Sequence, residues 1–259
     1  MSWKNDPREI RRRIRAGEYH GQTGGLAPGY AQANLAILPR DLALDFLIFC
    51  TINPKPCPIL DVLEPGRFEP NIAHGADLRT DIPKYRIFKD GELVDEVTSI
   101  EHYWRDDLVS FLIGCSFTFE SRLIEAGIPM RYREQNTVIS VFETNLPTQP
   151  AGLFHGPVVV SMRPVHASRV ADAVRITARV PRVHGAPIWV GAPEALGIKD
   201  IQRPDWGDPQ EIRPGEVPVF WACGVTPQAV ARASRPALMI THAPAHMFIT
   251  DLLDTQLTE

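Results

Sequence analysis

Proline sets the first limit on what this chain can become. It occurs 24 times in 259 residues, nearly twice the usual share of about 5%, and each occurrence fixes φ and removes a backbone donor. Long helices are therefore not expected beyond about residue 125; short elements joined by rigid turns are. A hydrophobic fraction of 44% with 22% charged residues suffices for a substantial core, in one large domain or two small ones. The net charge of −4 argues against a nucleic-acid partner, which calls for a basic surface, and leaves small ligands as the expected partners.

Cys50, Cys57, Cys115 and Cys223 are scattered without CxxC spacing, and no apolar leader opens the chain. Free thiols in a reducing cytoplasm are expected rather than a disulfide framework. The longest apolar run, Leu42 to Cys50, carries Asp45 and falls far short of the ~20 residues of a membrane span. A homo-oligomer is compatible with this composition.

Chemistry concentrates in VPVFWACGVTPQAVARASRPALMITHAPAHMFITD, residues 217 to 251. Val217 to Ala222 and Ala237 to Ile240 read as strands buried on both faces. Cys223, Gly224 and Thr226 follow the first, with Thr226 placed to cap a helix that begins at Pro227. Thr241, His242 and His246 follow the second. Both turns then open at the carboxyl ends of neighbouring strands, where open α/β sheets bind ligands. Taken singly, Cys223 reads equally as a small buried hydrophobe, and either histidine as a structural one. Histidines four apart suit a metal on a helix, but Pro244 breaks the helix between them.

Earlier in the chain, Asp6 caps a helix over 6 to 17 with Pro7 as its first residue and Gly17 as its stop. Its arginine-rich face reads as solvated. Gly21 to Tyr30, GQTGGLAPGY, is irregular, and its amides can cradle a carboxylate or phosphate, although no nucleotide motif is completed. A strand over 34 to 38 and a helix over 39 to 50 follow. Asp90 and Gly91 mark a hairpin within Tyr85 to Val97. Helices are predicted from Ser99 through Ile113 and from Ser116 to Ala126, the second ending at Gly127. Val138 to Phe142, Val158 to Met162, His166 to Arg179 and Pro187 to Val190 form a β-β-α-β unit. The polar segments that begin at Asn145 and at His184 are candidates to border a site. Pro204 to Asp208, PDWGD, is a compact turn, and no internal repeat is evident.

APGYAQANLAILP, FCTINPKPCPILDV, GCSFTFE, AGLFHGPVVVSMRP, HGAPIWVGAP, PDWGD, VPVFWACGVTPQ and ITHAPAHMFITD together cover nearly the whole length. On these stretches the chain resembles the bacterial hydro-lyase family of the YcsI type, which is similar to the D-glutamate cyclase domain of animals. The resemblance implies an α/β structure with a three-layer αβα sandwich and a smaller two-layer α/β subdomain. The β-β-α-β unit, 136 to 190, is then the inserted small subdomain, and 1 to 135 with 191 to 259 form the main one. The chain departs from the family pattern at polar positions: Trp189 stands where His is usual, Ala192 for an acidic residue, Thr51 and Ile52 for a polar, basic pair, Tyr132 for His, Glu143 for a basic residue and Ala245 for Gly.

The implied reaction is loss of water from a small amino or hydroxy acid, with D-glutamate closing to 5-oxo-D-proline as the model case. Such a site needs an acid, a base and a carboxylate clamp. His242 and His246 are the candidate acid and base, with Glu120, beside Cys115, as a further one. Cys223, Thr226 and the Gly224 amide are placed to stabilise an oxyanion. Arg122 and Arg163 can clamp a carboxylate, and His184 and Asn145 complete the candidate substrate contacts. No cofactor is expected; a divalent metal at His242 and His246 stays open, although no HExxH-like motif appears. The alternative reading is a carboxylate-binding or regulatory protein that retains the pocket without the chemistry.

Overall fold

The computed structural model describes residues 2–258. In chain order the elements are α1 (Pro7–Arg15), β1 (Tyr30–Pro39), α2 (Arg40–Ile52), β2 (Ile59–Val62), β3 (Tyr85–Lys89), β4 (Glu92–Val97), β5 (Leu108–Gly114), α3 (Phe117–Glu125), α4 (Arg131–Glu134), β6 (Val141–Pro147), β7 (Pro157–His166), α5 (Val170–Ala178), β8 (Trp189–Val190), β9 (Glu216–Ala222), α6 (Thr226–Ser234), β10 (Met239–His242) and β11 (Phe248–Leu253). None exceeds 13 residues, as the proline content requires.

Local signals work where they stand alone. The Asp6 carboxylate accepts from the Arg8 and Glu9 amides at the start of α1, and Ile10 and Ile14 bury against Ile249 of β11. Asp90 and Gly91 both take positive φ, 49° and 83°, the backbone of a two-residue hairpin turn between β3 and β4.

The fold is α/β with two sheets. Seven strands form the first, in the order β2-β5-β1-β10-β3-β4 with β11 also on β1. Alternation along β1 sends Leu35 and Ile37 to one face and Ala36 and Leu38 to the other. Phe46, Phe49 and Cys50 of α2 cover the second face, while Phe119 and Leu123 of α3 cover the first. The second sheet, β6-β7-β9-β8, sends Val159 and Val165 of β7 and Val219 and Trp221 of β9 into the core shared with the first face. Its outer face, with Phe142, Val160, Met162 and Phe220, packs on Leu196 and Ile198.

Three expectations change. Leu108 to Gly114 is a strand rather than the end of a helix: all seven residues are buried, between β2 and β1, and a short run apolar on both faces carries no period to tell the two apart. β9 and β10 are not neighbours. β9 pairs β7 and β8, β10 pairs β1 and β3, and α6 carries the chain between the two sheets. All of these ladders are antiparallel, so no parallel switch point positions the site. Because β9 belongs to the second sheet, that sheet also draws on Glu216–Ala222, outside the range 136 to 190 expected for the small unit.

Candidate active site

Two turns of like construction end β5 and β9. Each runs from a strand through Cys-x-x-Thr into a nine-residue helix: Cys115 to Thr118 leads into α3, where Thr118 is the second residue, and Cys223 to Thr226 leads into α6, where Thr226 is the first. In each the threonine amide returns to the cysteine carbonyl, at 3.1 Å for Thr118 and 3.0 Å for Thr226. The threonine hydroxyls bind neighbouring strands: Thr118 Oγ1 accepts from Gln32 N at 3.1 Å, and Thr226 Oγ1 from Val159 N at 3.1 Å. Thr226 therefore opens α6 instead of capping it, and its own proton goes to Cys223 O at 2.7 Å.

The turns come from different sheets, yet they meet. Cys115, Ser116 and Phe117 from the first, Cys223 and Val225 from the second, Asn34, Ser161 and Trp206, and Pro244 and Ala245 line one cavity of about 20 Å³. A single water fills roughly 10–15 Å³ of such space, so the cavity is nearly closed. Glycines allow close packing beside it. A Cβ on Gly224 would stand 2.0 Å from Asn34 Nδ2, and one on Gly114 would stand 2.0 Å from the Arg182 carbonyl, so only glycine fits either position.

Behind the cavity lies a buried charge network. On β7 the side chains of Ser161 and Arg163 alternate with Val160 and Met162 and so face the core between the sheets. Arg163 and Glu120 are both nearly inaccessible, and Arg163 Nη2 and Nε reach Glu120 Oε1 at 2.6 and 3.0 Å. Tyr132 donates to Glu120 Oε2 at 2.6 Å. Arg163 also donates to Ser161 Oγ at 3.1 Å and Ser116 Oγ at 3.0 Å, and its guanidinium lies 5.3 Å from the Phe119 ring and 5.4 Å from Trp221. Those two serine oxygens accept from a cation, which leaves both hydroxyl protons free to meet an acceptor in the cavity.

Burial dominates the titration of the thiols. It pushes Cys223 up to about 11, the Val225 amide and Arg163 offsetting part of the rise, and lifts Cys115 far above the usual thiol range although Phe117 N donates to its sulfur. Both are protonated at neutral pH.

Of the sequence candidates, Cys223 lines this cavity; Gly224 belongs to the same turn, Arg163 stands behind the wall residues Ser161 and Ser116 with Glu120 paired to it, and the remaining candidates are not on the wall. His242 is fully buried and not on the cavity wall. Its Nδ1 accepts from Leu35 N at 3.1 Å, where β1 passes from its pairing with β10 at Ala36 to that with β11 at Ala33. Burial depresses it to about 3. His246 Nδ1 lies 2.8 Å from Pro244 O, and burial lowers its pKa. Among the described residues no three His, Cys, Asp or Glu side chains gather to hold a metal. His184, with Nδ1 2.9 Å from Lys55 O, is buried and lowered to about 4, chiefly by desolvation. Arg122 pairs with Asp254 at 3.3 Å, the ordinary ion pair that is the alternative to a clamp. Asn145 is exposed and reaches Ala195 O at 3.4 Å. The turns at 223 to 228 and 241 to 246 do not share an end of one sheet, but Pro244 and Ala245 bring the second to the same cavity. Missing from the sequence candidates were Asn34, Ser116 and Ser161; the recurrence of Cys-x-x-Thr after an apolar strand was the signal that could have pointed to Ser116.

A family profile described as D-glutamate cyclase matches residues 109–251. The chain is 60% identical to a protein of Stutzerimonas stutzeri over 97% of this chain and 95% of the other. It is 59% identical to one of Thermoanaerobacter over the same shares, and 58% identical to one of Bacillus licheniformis over 96% of each. All three are provisionally named hydro-lyases.

Proposed function

The chain belongs to the D-glutamate cyclase family, and on that premise we propose that it is a carbon–oxygen lyase that expels water from a small amino acid, with D-glutamate closing to 5-oxo-D-proline as the first reaction to test. The observation that carries this reading is the placement of Ser116 and Ser161, both on the cavity wall and both holding Arg163. They offer two O–H donors, backed by a buried cation, to a carboxylate oxygen and to the oxyanion formed when an amine attacks it.

Cyclisation needs no outside proton. The substrate ammonium loses two protons as its nitrogen bonds to the distal carboxyl carbon, and the departing oxygen gains two as water. Cys223, protonated below about 11, relays each of the two in turn, giving a proton to the departing oxygen and recovering one from the nitrogen. Cys115 lies across the same cavity as the second thiol. Glutamate exceeds the present cavity, so binding requires the turn at Cys115 to part from the turn at Cys223; the two belong to different sheets.

The test is incubation with D-glutamate, following 5-oxoproline by chromatography. Cys223→Ser should lower kcat by about 10²–10⁴, the usual range for a proton-transfer group, with little change in Tm. Turnover equal to wild type in Cys223→Ser would remove the thiol from the mechanism. A ligand-induced rise in Tm without product would favour the carboxylate-binding alternative.

A further inference from the structure

Asn34 meets the chain at both cysteine turns. On β1 it is registered with Ile113 of β5 and falls between Ala36, registered with Thr241 of β10, and Ala33, registered with Phe248 of β11. The change of partner leaves room beside β1 at this point. The side chain, only 2% exposed, lines the cavity that the two turns share.

The first turn is held at its entry. Asn34 Nδ2 donates to Gly114 O at 2.8 Å and lies 3.4 Å from Ile113 O, and Gly114 immediately precedes Cys115. Two carbonyls at this nitrogen fix which end of the amide is the donor. The second turn is held by contact. A Cβ on Gly224, the residue after Cys223, would stand 2.0 Å from Asn34 Nδ2, 2.2 Å from Cγ and 2.7 Å from Oδ1, so the carboxamide rests on a bare Cα. Among the described residues no hydrogen bond runs directly from Cys115–Thr118 to Cys223–Thr226. The two turns are spaced by the side chains set between them.

We propose that Asn34 is a positioning residue of this cavity: its carboxamide clamps the Cys115 turn to the Cys223 turn and sets how readily they part. The catalytic consequence rests on the reading of the cavity as the site of water loss; the clamp itself does not. In that reaction the clamp keeps the Cys223 thiol in register with the Ser116 hydroxyl, and a displacement of about 1 Å in such an arrangement costs on the order of 10²-fold in rate.

Iodoacetamide labelling of the reduced, native full chain in mildly alkaline buffer, followed cysteine by cysteine by mass spectrometry, tests the clamp without a substrate. Asn34→Ala removes the donor; Asn34→Asp keeps the size and sets a carboxylate against Gly114 O. Each should speed labelling of Cys115 and Cys223 at least five-fold and leave Cys50 and Cys57, buried in the core beneath α2, within about two-fold. Cys50 and Cys57 report general loosening. Equal acceleration of all four thiols in both variants would reduce Asn34 to a structural residue, and unchanged labelling of Cys115 and Cys223 would remove the clamp; either result overturns the proposal. In turnover per folded molecule, both variants should lower kcat ten-fold or more without raising KM, because entry of substrate requires the turns to part. Wild-type kcat in both variants would overturn the positioning role. A wild-type protein that forms no 5-oxoproline would refute the reaction, and the labelling then decides on the clamp by itself.

Discussion

Replacing His242 by Ala separates a structural histidine from a catalytic one, and the geometry sets the size of the effect. The imidazole is fully buried and accepts the Leu35 amide. Truncation leaves that N–H unpaired, at about 1–3 kcal/mol, and opens a void in place of the ring, so a total of about 3–5 kcal/mol at pH 7 is expected, within the range for core truncations. The loss should shrink in acid. The unfolded chain takes up a proton on His242 near its free pKa of ~6.5, whereas the folded chain resists until about pH 3. Wild type therefore loses stability as pH falls from about 6.5 towards 3, by about 2 kcal/mol from this residue at pH 5, and the variant lacks that contribution. His184 titrates in the same sense, but both proteins carry it and it cancels in the difference. Urea unfolding of both proteins at pH 7 and pH 5 should show the stability gap narrowing by about 2 kcal/mol, while turnover per folded molecule stays near wild type. An equal gap at the two pH values would refute the buried neutral imidazole, and turnover that falls far below the folded fraction would place His242 in the chemistry.

Glu120→Gln removes the partner of a buried guanidinium and should cost about 3–5 kcal/mol, read by chemical denaturation; the double variant Glu120→Leu with Arg163→Met should recover much of it. Gly224→Ala puts a methyl against Asn34, and a loss of about 1–3 kcal/mol from overpacking should shrink when Asn34→Ala is added, which a double-mutant cycle of melting curves measures. Titration of denatured, unreduced protein should find four thiols, since Cys50, Cys57, Cys115 and Cys223 are all free; a lower count would show that a disulfide forms in solution.

What the sequence determined by itself was local or collective. Asp6 with Pro7, Asp90 with Gly91, and Gly127 after α3 each act on backbone within a few residues, so their elements were legible. The family was legible because its matching stretches run the length of the chain. Apolar runs carried less. Leu108 to Gly114 and Val217 to Ala222 announced burial, but a segment buried on both faces shows neither its period nor its partners, and pairing is decided by residues distant in the chain. Tertiary structure alone assigned β9 and β10 to different sheets, set His242 where β1 changes partner, and brought Cys115 of one sheet to Cys223 of the other. Arg163 was legible as a cation and Glu120 as a carboxylate; that they neutralise each other, with Ser116 and Ser161 bonded to the same guanidinium, follows from two sheets closing on a shared core, where a charge without a partner is too costly to keep.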